Sequence, residues 1–229
     1  MEDREQNLLS RIQACLLGVQ IGDAMGMPWE MMTHEEIMQA TIRRGVTGFS
    51  DPVQRRIRGT MNFKAGETTD DWALTRAVAR SLIRWEKYDI YDIALEQLRE
   101  FEEDNFGWGR TTRQAFCEIA EYFDSRGTRG RSPLVAPPLV TGEKGAGNGV
   151  AMKIAPLALW QASINQDSDK FFRQVMGFGF MTHPNLLASL SAYVFSRLIL
   201  RIITTPLSKT DGVNICSEMQ DVLYSMRYA

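Results

Sequence analysis

Apolar residues recur at helical spacing along most of the chain, and this period limits the possible folds more than any other feature. In the first segment Leu8, Ile12, Leu16 and Val19 lie three or four residues apart and share one helix face. Equivalent segments follow at Leu74 to Trp85, Ala94 to Phe101, Ala115 to Phe123, Pro156 to Ala162, Asp169 to Met176, Asn185 to Ile203 and Val213 to Met226. No segment shows the two-residue alternation of a half-buried strand. The sequence therefore predicts an all-α fold, a compact helical bundle forming one domain over residues 1–229.

The composition narrows the class of protein and its partners. A chain of 229 residues, 44% hydrophobic and 24% charged, is long enough for a sizeable core. A net charge of -2 gives no basic footprint, so we expect no nucleic-acid partner. Cys15, Cys117 and Cys216 are too widely spaced for a disulfide framework, and a reducing, cytoplasmic location is expected. The apolar run Tyr193 to Ile203 contains two arginines, so no membrane contact is expected.

Two long connections interrupt the helical pattern and lead into polar motifs. Gly45 to Gly66 has few apolar residues, and Gly127 to Gly149 carries three prolines. Connections of this length are uncommon in compact domains unless they have a function or are mobile. We therefore expect functional residues where these connections meet the helices.

The first polar motif is acidic. Thr69 has the character of a helix N-cap, and Asp70 and Asp71 follow in the first turn. Those residues could serve the helix alone, or they could present oxygen ligands to a divalent cation, for which Mg²⁺, Mn²⁺ or Ca²⁺ suits better than zinc. Glu30 is a further candidate ligand or an exposed loop carboxylate, and Asp23 is a turn, capping or site residue.

The second set of motifs is rich in glycine. Gly145 to Gly149 contains three glycines around Asn148, so its backbone N–H groups could line a phosphate, or it could be a turn. Gly107 to Gly109 encloses Trp108, which could stack on a base or fill the core. His183 precedes a proline and is a candidate polar contact to substrate or a loop histidine bonded to backbone.

Taken in order, these motifs resemble the ADP-ribosylglycohydrolase family. The resemblance spans roughly residues 8 to 200 and rests on Gly22-Asp23…Gly26…Glu30, Thr69-Asp70-Asp71, Gly147-Asn148-Gly149…Ala151-Met152-Lys153, and Thr182-His183-Pro184, with a further family-like stretch at Gly107-Trp108-Gly109…Thr111. It implies an all-α domain with two divalent metals, Mg²⁺ or Mn²⁺, at its centre. It also implies hydrolysis of the glycosidic bond between ADP-ribose and a protein side chain or small molecule.

The resemblance also implies roles for individual residues. The implied metal ligands are Thr69, Asp70, Asp71 and Glu30, and the last three are also the implied catalytic carboxylates. The implied substrate-binding residues are Gly107, Gly109, Gly147, Asn148, Gly149 and His183. By the same resemblance the partner is an ADP-ribosylated protein or small molecule.

The sequence departs from the family pattern at two places. Trp72 follows Asp71, where the family usually has a small hydroxyl residue. The second acidic motif of the family, Asp-x-Asp-Thr, is missing, so we expect a C-terminally incomplete domain whose exposed apolar surface promotes self-association. One alternative is an inactive homologue that binds ADP-ribose or has a structural role. Another is a metal-dependent hydrolase of a different phosphate-bearing nucleotide.

Overall fold

The fold is a bundle of α-helices, as the apolar periodicity predicts. The computed structural model describes residues 2–51, 63–103, 108–125, 145–164, 168–205 and 217, and these residues contain no strand. Their helices are α1 Glu2–Gly26, α2 His34–Ala40, α3 Asp70–Trp85, α4 Ile90–Glu103, α5 Arg110–Ser125, α6 Ala155–Ile164, α7 Ser168–Thr182 and α8 Leu186–Thr204, with short 3₁₀ helices at Met27–Trp29 and Ala151–Lys153. The predicted helix Val213 to Met226 lies outside the described residues, apart from Ser217.

The core forms where α3 and α8 meet the other helices. α3 packs against α4, α6 and α1, and α8 packs against α6 and α7. The apolar faces predicted from the sequence point inward, so that Leu74, Phe116, Leu157 and Phe178 are completely or almost completely buried. Burial of a large apolar side chain contributes about 1.5–3 kcal/mol, so this shared core is the main support for the fold.

Charged side chains join α3 to α4 beside this core. Arg76 and Arg80 bind Glu100, and Arg80 and Arg84 bind Glu96. Both glutamates are at most 5% exposed. Because a buried carboxylate without a partner is costly, these pairs fix the register of α3 against α4 more than they add stability. The N-terminal end of α3, which carries Asp70, is held in place by this register.

The helix α1 is only partly covered by the rest of the protein. Its residues Ile12, Cys15, Leu16 and Val19 pack against the core, whereas another face carries Leu9, Leu17 and Ile21, which are about half exposed. A helix with apolar residues on two faces usually contacts neighbours on both. Self-association through such a surface remains a prediction.

The helix α8 is more apolar than the sequence reading allowed. Leu186–Thr204 has 19 residues and a mean hydropathy of 1.7, which is long and apolar enough to cross a membrane by length and composition alone. The core helix of a water-soluble protein meets the same test, so this is weak evidence. Ala188, Ala192 and Ile199 of this helix are buried in the core.

Two details of the N-terminal region go beyond the segments predicted above. The helix α1 continues to Gly26 and so includes Asp23. The connection before Gly45 contains α2, which begins with a capping box at Thr33. Thr33 N–H donates to Glu36 Oε2 at 2.8 Å, and Glu36 N–H donates to Thr33 Oγ1 at 3.3 Å. The Thr-x-x-Glu pattern is the sequence signature of such a helix start.

The helices α7 and α8 approach each other closely at Gly179. A Cβ atom added there would collide with Ser189 Oγ and would lie 2.9 Å from Ser189 Cβ and 3.3 Å from Val150 Cγ1. A Cβ atom at Gly177, on the same helix, would meet only Tyr88 Oη at 3.8 Å. Glycine is therefore required by packing at the first position and not at the second.

This contrast predicts opposite effects for two otherwise equal substitutions. We expect Gly179→Ala to lower the free energy of unfolding by about 1–3 kcal/mol, because overpacking forces α7 and α8 apart. Gly177→Ala should leave stability unchanged or raise it by up to about 1 kcal/mol, because alanine favours helix. Urea unfolding of both variants tests this, and equal stabilities would contradict the close packing at Gly179.

Candidate active site

Most of the predicted acidic residues meet at one pocket of about 620 Å³ between α1, the N-terminus of α3 and the loop before the second 3₁₀ helix. Its walls carry four carboxyl groups, from Asp23, Glu30, Asp70 and Asp71. Thr69 and Asn148 also line it, together with apolar side chains that include Met27, Trp29, Ile37 and Val46. The described lining residues include no lysine or arginine. A pocket of this size matches a small-molecule site.

Asp23 holds this pocket together by capping a helix other than its own. Its Oδ2 accepts hydrogen bonds from the N–H groups of Thr69, at 2.8 Å, and Trp72, at 3.0 Å. Its Oδ1 accepts from Thr69 Oγ1 at 2.8 Å. Thr69 occupies the N-cap position as predicted, but its side chain makes no cap hydrogen bond, and Asp23 from α1 takes that role. The carboxylate satisfies unpaired donors and meets the positive end of the α3 dipole.

The other carboxyl groups resist ionisation together. Burial, followed by the charge of Asp71 and smaller contributions from Asp23 and Glu30, raises the pKa of Asp70 to about 7. Burial and the charges of Asp23 and Glu30 raise the pKa of Asp71 to about 6. Burial and Asp23 also raise the pKa of Glu30. A bound cation would relieve this repulsion by adding opposite charge.

The donor chemistry suits a hard cation, although the side chains do not form a closed cage. Glu30, Thr69, Asp70 and Asp71 offer only oxygen atoms, the donors that Mg²⁺ and Mn²⁺ take. Within the described ranges, no three or more histidine, cysteine, aspartate or glutamate side chains are grouped closely enough to hold a metal ion. The acids are instead spread around an open pocket.

The glycine-rich loop reaches the same pocket through Asn148, but His183 lies behind it. His183 is only 3% exposed. A Cβ atom at Gly149 would collide with His183 Cε1 and lie 2.5 Å from Nε2, so the ring packs directly against the loop backbone. His183 therefore packs behind the loop and supports it, and it does not line the open pocket. Gly147 has no such neighbour.

Sequence reasoning did not single out Lys153 as a site residue, yet it is completely buried beside the site. Its Nζ donates to Thr182 Oγ1 at 3.0 Å and to Gln97 Oε1 at 3.2 Å. It also lies 5.0 Å from the centre of the Phe178 ring. Burial lowers its pKa to about 7, against the attraction of Asp70. A buried lysine has no reliable signal in one sequence; its place in the glycine-rich motif was the only hint.

The remaining residues predicted from the sequence lie near the glycine-rich loop, in the core or outside the described residues. Gly109 precedes α5, where its carbonyl accepts from Arg113 N–H at 2.9 Å. Thr112 of the same helix turn would lie 3.3 Å from a Cβ atom at Gly149, so Gly109 adjoins the loop indirectly. Trp108 is 6% exposed and contacts the rings of Phe101 and Phe116, which makes it a core residue. Gly107 lies outside the described residues.

Comparisons with known proteins identify a matching family and similar sequences. The sequence profile of the ADP-ribosylglycohydrolase family matches residues 4–226. The chain is 31% identical to the ADP-ribosylhydrolase ARH3 of Mus musculus over 170 residues, which cover 72% of this chain and 42% of that protein. It is 29% identical to the ADP-ribosyl-[dinitrogen reductase] glycohydrolase of Rhodospirillum rubrum over 194 residues, which cover 84% of this chain and 58% of that protein.

These matches identify the family of the chain and show how much of its relatives' length the chain covers. The chain belongs to the ADP-ribosylglycohydrolase family. Its all-α fold agrees with the fold that the resemblance implied. The chain spans about half the length of the curated relatives it matches.

The repulsion within the pocket predicts how Asp70→Asn changes stability. Because the folded-state pKa of Asp70 is raised to about 7 from an ordinary value of about 4, the cost of its charge to the fold grows between these two pH values and is complete above pH 7. In a chelator at pH 8, Asp70→Asn should therefore raise stability by about 1 kcal/mol or more, or about 2–4 °C for a chain of this size. At pH 5 the folded state holds the proton but the unfolded state is ionised, so the gain should be clearly smaller than at pH 8 without disappearing.

Thermal melts at both pH values check this result, with Glu102→Gln on the exposed face of α4 as the control. Adding Mn²⁺ or Mg²⁺ at pH 8 should raise the melting temperature of the natural chain more than that of the Asp70→Asn variant, because ligands stabilise the state they bind. A variant that is less stable than the natural chain at pH 8 would contradict the assigned electrostatics.

The packing of the loop predicts a second matched pair. Gly149→Ala should lower the free energy of unfolding by about 1–3 kcal/mol, because the added methyl group displaces either the loop or the His183 ring. Gly147→Ala, two residues away, has open space for its methyl group and should be near neutral. Urea unfolding of the two variants distinguishes them, and the same loss in both would disprove the contact with His183.

Proposed function

We propose that this chain is a metal-dependent hydrolase that cleaves the glycosidic bond between ADP-ribose and an acceptor, which is a protein side chain or a small molecule. The observation that carries this proposal is the meeting of Glu30, Thr69, Asp70, Asp71 and Asn148 around one pocket in a chain of this family. The pocket volume of about 620 Å³ is suitable for a nucleotide-sized ligand.

The carboxylates have a chemical purpose in this reaction. Breaking a bond at ribose C1 develops positive charge on the sugar, and the negative pocket would stabilise that charge. Glu30, Asp70 and Asp71 would also exchange protons with water and the leaving group. These roles need carboxylates at the pocket wall, whereas Asp23 is committed to capping α3.

The residues that would hold a divalent cation are Thr69, Asp70, Asp71 and Glu30. Their hard oxygen donors suit Mg²⁺ or Mn²⁺. When bound, the cation supplies positive charge that orients ribose hydroxyl groups and water. The backbone of Gly147 and Gly149 and the Asn148 amide would face the diphosphate and ribose, with Gly109 and His183 supporting this loop.

Release of free ADP-ribose tests the proposal. We expect the natural chain to release it from ADP-ribosyl-arginine or ADP-ribosyl-serine peptides, or from a small-molecule conjugate, with Mn²⁺ or Mg²⁺ present. Chelation should abolish release, and Asp70→Ala should lower it at least about 100-fold, because a positioned acid–base group contributes about 10²–10⁴-fold. The exposed Glu102→Gln variant should keep full activity. Release that Asp70→Ala leaves unchanged would disprove the site.

The open arrangement of the acids favours a second candidate, an inactive homologue that binds ADP-ribose. Among the described residues, no three or more histidine, cysteine, aspartate or glutamate side chains are grouped closely enough to hold a metal ion. A homologue that binds ADP-ribose without a metal would need no such group. This candidate predicts that ADP-ribose raises the melting temperature equally with Mn²⁺ and with chelator, and that no conjugate is cleaved. The proposed hydrolase instead predicts a rise that depends on the cation.

A further inference from the structure

The buried Lys153 joins three helices to the loop that lines the pocket, and the proposed reaction gives it no role. It is completely buried. Gln97 belongs to α4, Thr182 ends α7, and Lys153 itself ends the 3₁₀ helix that follows the glycine-rich loop. Burying an amine in the core is costly, and the hydrophobic side chains around it do not require a cation. The burial of Lys153 must therefore be explained by the groups that it holds in place.

The directions of its hydrogen bonds are fixed by chemistry in the ammonium form. An ammonium ion has three N–H donors and no acceptor, so Lys153 donates to both Gln97 Oε1 and Thr182 Oγ1. The threonine oxygen therefore accepts from Lys153, and its own hydrogen is left to donate. His183 Nδ1 lies 3.1 Å from Thr182 Oγ1, within hydrogen-bond distance, and can accept that hydrogen.

We propose that Lys153 and Thr182 form a relay that fixes His183 in the neutral tautomer with its proton on Nε2, and that Lys153 is thereby a positioning residue for the loop Gly147 to Gly149. A ring nitrogen that accepts a hydrogen bond carries no proton, so the proton of the neutral ring lies on the other nitrogen. Nε2 faces Gly149, as the short distance from an added Cβ atom requires. The loop thus packs against the Cε1 and Nε2 atoms of a ring whose tautomer is fixed.

The surroundings of the ring agree with a neutral state. Burial, together with the positive charge of Lys153, lowers the pKa of His183 to about 4. The ring is also held from its backbone, because His183 N–H donates to Gly179 O at 2.8 Å and His183 O accepts from Asn185 N–H at 2.6 Å. Asn185 in turn caps α8 through Oδ1, which accepts from Leu187 N–H at 2.9 Å. The position of the His183 ring is therefore fixed by the hydrogen bonds of its own backbone and by the contact with Thr182.

The importance of this loop for substrate rests on the proposed function, but the tautomer does not. The chain has two histidines, and the other, His34, is exposed on α2. Nitrogen-15 labelling of histidine in the full chain thus gives two ring systems, and a His34→Gln variant identifies that of His183. Long-range proton–nitrogen spectra then report directly which ring nitrogen carries the proton, without substrate or metal.

We expect His183 to show a protonated Nε2 and an unprotonated Nδ1 from pH 7.5 down to pH 5.5. Thr182→Val keeps the shape of the side chain and removes the donor, so the single-tautomer pattern should be lost, whereas Thr182→Ser should retain it. Lys153→Met, of similar length, should also weaken the pattern and shift the protonation midpoint of His183 upward, because a positive charge is removed. A purely structural threonine would leave the tautomer unchanged.

Two results would overturn the inference. One is a natural chain in which His183 carries its proton on Nδ1, or on both nitrogens, at pH 7.5. The other is a folded Thr182→Val variant with the spectrum of the natural chain. Because the spectrum of the natural chain is decisive, the test survives a variant that fails to fold. An expected spectrum without ADP-ribose release would leave the relay intact and disprove only the hydrolase.

Discussion

The capping of α3 by the Asp23 carboxylate is the contact on which the rest of the site depends. It joins the end of α1 to the first turn of α3 through three hydrogen bonds of 2.8 to 3.0 Å. Without it, the first N–H groups of α3 would lack partners, and the turn that carries Asp70 and Asp71 would have no fixed position beside Glu30. The ion pairs between α3 and α4 fix the same helix from its other side. A carboxylate can thus determine the geometry of a candidate site by capping a neighbouring helix.

The second constraint is the placement of charge across this site. All charged residues among the described pocket lining are acidic, and the cation Lys153 is buried behind the pocket with its hydrogen bonds directed at Gln97 and Thr182. Lys153 attracts Asp70 only at a distance, since the pKa of Asp70 remains raised to about 7. The protein therefore leaves the repulsion among its acids unrelieved, which is the condition under which an external cation binds with the greatest gain.

Much of the fold and part of the site could be predicted from the sequence, for identifiable reasons. Leu74, Val78 and Leu82 face the core because their spacing follows the helical repeat, and that repeat does not depend on distant residues. Thr69, Asp70 and Asp71 were found because a helix start has a local signature. Capping was one role considered for Asp23, but the helix that it caps, α3, was not predicted as its partner, since the bonded residues lie 46 and 49 residues away along the chain. The burial of His183 was missed for the same reason, because Gly149 and Lys153 come from another part of the chain.

The contact between His183 and Gly149 also explains why a glycine occupies that position. The loop could form a turn with other small residues, and a Cβ atom at Gly147 would meet no neighbour. At Gly149 the backbone itself touches the ring, so any side chain would separate the loop from its support. The His183 ring is in turn connected through Thr182 to Lys153. Lys153 lies three residues after Val150, in the segment that continues from the loop. The C-terminal part of the loop is therefore held by one connected set of contacts, which makes the position of Asn148 at the pocket depend on the core.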